Sequence, residues 1–141
     1  LKQQAAFYVS SGKSFSILML DIDFFKSIND GFGHMTGDDV LRAFVQRVRE
    51  YLRPGDVCAR FGGEEFVVVL PQTTLEEARE VAERLRLGVS QSPLLETPRV
   101  QVTVSIGVAT LAAGQTVGEL LATADAAVYV AKKAGRNQVQ P

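Results

Sequence analysis

The chain has 141 residues, 46% of them hydrophobic, and a formal net charge of -1. That length is one domain's worth, and a domain of this size hides roughly 70% of its unfolded surface. The charge excludes a protein that wraps nucleic acid by bulk electrostatics, and the single cysteine, Cys58, excludes a disulfide framework.

No apolar run approaches the length of a membrane-spanning helix. The opening "LKQQAAFYVS" has no initiator Met and no signal-peptide layout. It reads as the middle of a helix, so the chain is expected to be a fragment of a longer protein. "SFSILMLDID" is an apolar run ending in acids and predicts a buried strand from Phe15 to Ile22. "FFKSIND" fits a short helix or turn closed by Gly31 and Gly33. From Asp38 the pattern is helical, with Leu41, Phe44, Val45, Val48 and Leu52 on one face, and Arg53-Pro54-Gly55-Asp56 stops it. Val57 to Phe61 and Phe66 to Leu70 are β-rich and flank Gly62-Gly63, a hairpin signal. Cys58 falls in this strand pattern and reads as a buried, inert thiol.

Thr74 with Glu77 forms a capping box that opens a second helix. Pro93 and Pro98 mark a loop, "VQVTVSIGVAT" reads as one long strand, and Thr116 with Glu119 opens a last helix with Gly135 at its C-cap. "NQVQ" is a candidate edge strand. The order β-α-β-β-α-β, then a helix, predicts an α+β fold: an antiparallel-rich central sheet with helices on one face.

The chemistry concentrates at two acidic pairs. Asp21 and Asp23 end the first strand, two apart and so on one face if the strand continues. Glu64 and Glu65 sit at the hairpin tip, where adjacent carboxylates repel unless something there uses their charge. If both pairs meet, three or four carboxylates with nearby carbonyls make a hard-cation site suited to Mg²⁺ or Mn²⁺. The plain alternative is solvated acids, and it is the better reading for either pair alone. Mg²⁺ usually works with substrate phosphates, which calls for nearby cations. Lys26 follows the first acids, and Lys132 and Arg136 are four apart on the last helix; ordinary favourable charge near a helix C-terminus explains that last pair equally well. Asn29 and Asp38 flank "GFGHMTG" and could read a purine edge, or serve as a turn residue and a helix N-cap. His34 is a lone histidine in that Gly-rich loop. These residues indicate a metal-dependent nucleotide enzyme and leave base, reaction and product open.

"DIDFFKSINDGFGHMTGDDVL", "RFGGEEF", "VTVSIGVAT" and "ADAAVYVAKKAGRNQV" together resemble the GGDEF family of diguanylate cyclases, in that family's order and spacing. The resemblance implies a palm-like, nucleotidyl-cyclase fold with a ferredoxin-like core. It implies condensation of two GTP into cyclic di-GMP with release of two pyrophosphates. It implies metal binding by Asp21, the Ile22 carbonyl and Glu64, with Glu64 open to a second role as acceptor of the hydroxyl proton. Lys26 matches the residue that stabilises the transition state, and Asn29, His34 and Asp38 match substrate-binding positions. Lys132 and Arg136 match phosphate contacts, and Arg53 and Asp56 match an RxxD product-inhibition site with Arg84 as a secondary contact. For Arg53 to Asp56 a bare type II turn is the alternative. A homodimer is implied, since one domain offers one set of groups for two GTP. The resemblance further implies a cytoplasmic domain with no membrane or nucleic-acid contact of its own, whose parent is open to a membrane anchor. The family's LTGLxNRR-type opening segment is not present, so an N-terminally truncated domain is expected. Two rivals stand beside the enzyme: a non-catalytic GTP or cyclic di-GMP sensor, and an α+β interaction module indifferent to both GTP and metal.

Overall fold

A computed structural model describes residues 12–141. The helix expected in "LKQQAAFYVS" lies outside those residues. The elements in order are β1 (Phe15–Ile22), α1 (Phe25–Phe32), α2 (His34–Arg49), β2 (Val57–Gly62), β3 (Glu65–Pro71), α3 (Leu75–Ser90), β4 (Leu95–Glu96), β5 (Arg99–Val100), β6 (Val104–Thr110), α4 (Val117–Lys133) and β7 (Val139–Gln140). The main sheet runs β2-β3-β1-β6-β7. Its pairings are antiparallel except β6 with β7, which is parallel. The expected α+β fold with an antiparallel-rich sheet is therefore present, and "NQVQ" does contribute an edge strand.

The helices are not on one face, as the element order suggested. Alternation along β1 divides two cores. Leu18, Leu20 and Ile22 pack with Phe44 and Val48 of α2 and Leu85 of α3. Phe15, Ile17 and Met19 pack with Leu120, Ala124 and Val128 of α4 on the opposite face. Both faces are covered, and all eight residues of β1 are buried. That is why its sequence is apolar without the polar alternation of a half-exposed strand.

Both capping boxes form: Thr74 and Thr116 each accept from the backbone N–H three residues on, while Glu77 and Glu119 reach back to the cap. α2 begins a full turn earlier than the apolar periodicity suggested, at His34. Its first turn carries His34, Met35 and Thr36, which offer no buried apolar side chain to mark it. The expected long strand is also shorter. It starts at Val104, because residues 101–103 leave the ladder and Thr103 turns its carbonyl and hydroxyl to Asp23. The Pro93–Pro98 loop contains a minimal hairpin, β4 with β5.

Candidate functional site

The end of β1 and the β2–β3 tip meet. Asp21 is the register partner of Glu65 on one side and Ser105 on the other. The next backbone N–H, of Ile22, donates to the Glu64 carbonyl at 3.4 Å. The tip is tightly made. Gly63 takes φ 53°, where a Cβ is disfavoured, and a bulge interrupts the pairing between Arg60 and Gly62. Arg60 Nε donates to the Gly63 carbonyl at 2.9 Å and closes the turn.

Asp21 is buried. Its Oδ2 accepts from Lys132 Nζ at 2.6 Å, while its Oδ1 has no partner. Burial pushes this carboxyl above the usual carboxylate range; Lys132 opposes the shift, and the charges of Glu64 and Asp23 add to it. Glu65 is pushed up too, by burial first and then by Asp21 and Asp125. Negative charge is thus crowded here and only partly neutralised. A buried carboxylate oxygen without a donor is costly, and a cation satisfies it.

The four-carboxylate convergence does not form. Among the described residues, no three His, Cys, Asp or Glu side chains gather as a metal-ligand group. Asp23 is the reason: β1 ends at Ile22, the chain turns, and the Asp23 carboxylate is filled by Ser105 Oγ at 2.7 Å, Thr103 Oγ1 at 2.6 Å and the Asn137 N–H at 3.0 Å. Glu65, the register partner of Asp21, stays close to it, but without Asp23 no group of three forms; the donors that the resemblance implies are the Asp21 and Glu64 side chains and the Ile22 carbonyl. Two carboxylates and a carbonyl are too few for an all-protein cage. They fit Mg²⁺ or Mn²⁺, which retain water and take further oxygens from phosphates.

Lys26 is exposed on α1. Asn29, on the same helix, lies over Gly37 of α2; a Cβ there would stand 1.8 Å from the Asn29 Oδ1. His34 and Asp38 are exposed on α2, one turn apart, so they share a face. The N-cap reading of Asp38 fails, since α2 starts at His34 with Gly33 as its boundary residue. That leaves Asp38 with no capping role.

Lys132 lies in the last turn of α4, but Arg136 is beyond the helix and not on a shared helical face. The Arg136 N–H bonds the Ala131 carbonyl and the Gly135 N–H bonds the Lys132 carbonyl, a Schellman ending with Ala134, not Gly135, as the C-cap. Arg136 takes φ 63°, and its guanidinium stands 4.7 Å from the ring centre of Phe24. Sequence reasoning missed Phe24, whose φ of 59° and 64% exposure are unusual for an aromatic residue.

At the other end of β2, Arg53 and Asp56 form an ion pair at 3.2 Å across a turn closed by Asp56 N–H to the Arg53 carbonyl. Gly55 at φ 96° suits the third position of a type II turn. Arg53 also donates to the Pro71 carbonyl and to Thr73 Oγ1. A cavity of about 410 Å³ opens beside them, lined also by Arg49 and Val57. Arg84 is exposed on α3, and among the described residues no hydrogen bond or ion pair joins it to that turn.

The family model for the diguanylate cyclase GGDEF domain matches residues 1–138. The chain belongs to the GGDEF family. Among its relatives is the response regulator PleD of Caulobacter vibrioides, 50% identical over 132 residues, which cover 91% of this chain and 29% of PleD. The GGDEF domain of DgcB from Caulobacter crescentus, solved in complex with c-di-GMP, superposes with a TM-score of 0.92 at 33% identity, covering 99% of this chain and 84% of that one. The active GGEEF domain of a diguanylate cyclase from Vibrio cholerae gives 0.91 at 32% identity, covering 99% and 89%. The GGDEF domain thus spans less than a third of PleD's length. Among the described residues, no helix is long and apolar enough to cross a membrane.

Proposed function

We propose that this GGDEF domain is a diguanylate cyclase that condenses two GTP into cyclic di-GMP and two pyrophosphates in the cytoplasm, using Mg²⁺ or Mn²⁺. The observation that carries the reading is the buried Asp21 Oδ1, without a partner among the described residues, on a carboxylate whose other oxygen Lys132 already holds and which feels the Glu64 charge. Asp21, the Ile22 carbonyl and Glu64 would hold the cation. When bound, it would supply charge neutralisation for the pyrophosphate and polarise the α-phosphate.

The chain's own residues do the rest. Asn29 and Asp38 orient guanine, the carboxylate accepting its N1–H and N2–H. His34, one turn before Asp38, adds a substrate contact. Lys132 and Arg136 receive phosphate oxygens, and Lys26 balances charge that develops in the transition state. The 3′-oxygen of one GTP forms a bond to the α-phosphorus of the other, and the bond to pyrophosphate breaks. The hydroxyl proton leaves to Glu64 or to water. The same step, repeated with the roles exchanged, closes the ring.

Two domains facing each other about a two-fold axis match the two-fold product. The rate should therefore rise more than linearly with protein concentration. A strictly linear rate from a protein monomeric throughout would remove the dimer from the mechanism. The test of the function is incubation with GTP and Mg²⁺, at high concentration and fused to a dimerising segment, with chromatography for cyclic di-GMP. GTP binding without product under both conditions would favour the sensor. No shift of melting temperature by GTP or metal would favour the interaction module.

Arg53 and Asp56, with Arg84 as a secondary contact, form the proposed product-inhibition site. Guanine would exchange the internal ion pair for contacts of its own: the guanidinium to O6 and N7, the carboxylate to N1–H and N2–H. Arg53→Ala should abolish cyclic di-GMP binding in a calorimetric titration and leave GTP affinity unchanged. Undiminished binding in the variant would reduce the stretch to a turn.

A further inference from the structure

The Asp23 carboxylate is buried, 3% exposed, and among the described residues has no ion-pair partner. A buried carboxylate is expensive unless hydrogen-bonded, and this one is filled by the three donors already named. Those donors come from separate places: the residue before β6, β6 itself and the loop after α4. Asp23 therefore ties the end of β1 to the segment that carries Arg136.

That segment needs tying. Gly135, Arg136 and Asn137 are consecutive and all have positive φ, at 119°, 63° and 48°, and only the first is glycine. Asn accepts the left-handed region readily, but an Arg there persists only where the surroundings impose it. The neighbours of Asp23 complete the grip. Phe24 lies under the Arg136 guanidinium, while Asp23 holds the next backbone N–H. Arg86 also holds Asn137, donating to its Oδ1 at 3.0 Å. Two consecutive residues after β1 thus fix two consecutive residues after α4.

We infer that Asp23 is a positioning residue that sets Arg136 for the nucleotide phosphates through its hydrogen bond to the Asn137 N–H, an inference that rests on the reading of Arg136 as a phosphate contact. It does not ligate the metal, because its oxygens are already directed at protein donors.

The probe is 3′-deoxy-GTP, which lacks the attacking hydroxyl and so binds without reacting. Its affinity with Mg²⁺ would be measured for the whole chain, for Asp23→Asn and Arg136→Ala, and for the two combined. Asp23→Asn should weaken binding about tenfold, the worth of one hydrogen bond to a charged group. In the Arg136→Ala background the same change should have no further effect. Ser105→Ala removes one donor and leaves the carboxylate in place; it should weaken binding less, again only when Arg136 is present. That variant carries the cycle if Asp23→Asn fails to fold. Mn²⁺ affinity without nucleotide, read by electron paramagnetic resonance, should be unchanged in Ser105→Ala, which leaves the Asp23 charge beside Asp21 in place. Additive losses, or a loss of Mn²⁺ affinity, would overturn the inference. Wild-type affinity in Arg136→Ala alone would instead overturn the phosphate reading beneath it.

Discussion

Gly107→Ala is expected to destabilise the domain by about 3 kcal/mol, the upper end for overpacking a core by one methyl group. Gly107 lies in β6, opposite Met19 of β1 and Gln140 of β7. A Cβ there would stand 2.1 Å from the Ala124 carbonyl oxygen, 2.8 Å from the Val128 nitrogen and 3.0 Å from the Ala127 Cβ. Two of those atoms are helix backbone and cannot swing aside, so α4 as a whole must lift from the sheet. Ala124, Ala127 and Ala131 are the buried small residues on α4 that let it sit so close. Lifting α4 also draws Lys132 away from Asp21, so residual folded protein should bind nucleotide more weakly. Gly118→Ala is the control. It lies in the first turn of α4, where an added Cβ meets only Thr116 Oγ1 at 3.8 Å. It should be neutral or stabilise by up to about 1 kcal/mol. Urea denaturation compares the two, and equal midpoints for wild type and Gly107→Ala would refute the close-packing argument.

What the sequence could show follows the range over which each feature is decided. The capping boxes at Thr74 and Thr116 were legible because both partners lie within one turn. The Gly62-Gly63 hairpin and the Arg53–Asp56 turn are equally local. Asp23 was misread because its side-chain partners, Thr103, Ser105 and Asn137, are 80, 82 and 114 residues away. Spacing alone placed it beside Asp21 as a second ligand. The Lys132–Asp21 pair, 111 residues apart, was invisible for the same reason. Each residue was read separately, one for phosphate and one for metal, yet here each satisfies the other. Arg136 is a different kind of miss. The interval of four from Lys132 suggested one helical face, but Gly135 between them was the signal that the helix stops. The second helical layer had a trace too. A strand with one wet face would not read Phe-Ser-Ile-Leu-Met-Leu, and the fully buried β1 explains why.

Glu64→Gln should lower turnover about a thousandfold or more, and the protein should be no less stable than wild type. The change keeps the shape and removes one charge. Glu64 is half-buried at the hairpin tip, and among the described contacts its side chain makes no hydrogen bond, so folding does not depend on it. Its backbone carbonyl, which receives the Ile22 N–H, is untouched. The Glu64 charge is unfavourable to its protein neighbours, since it adds to the forces raising the pKa of Asp21 and of Glu65. Neutralising it relieves that repulsion, so the melting temperature should hold or rise slightly. A side chain whose charge is unfavourable to its neighbours, and which only a cation would reward, has the signature of function placed ahead of stability. Glu64→Asp keeps the charge, restores the spelling for which the family is named, and should retain measurable turnover. Circular dichroism and a cyclic di-GMP assay on both variants decide the matter. Wild-type turnover in Glu64→Gln would exclude Glu64 from the mechanism, and a collapse in melting temperature would make it structural.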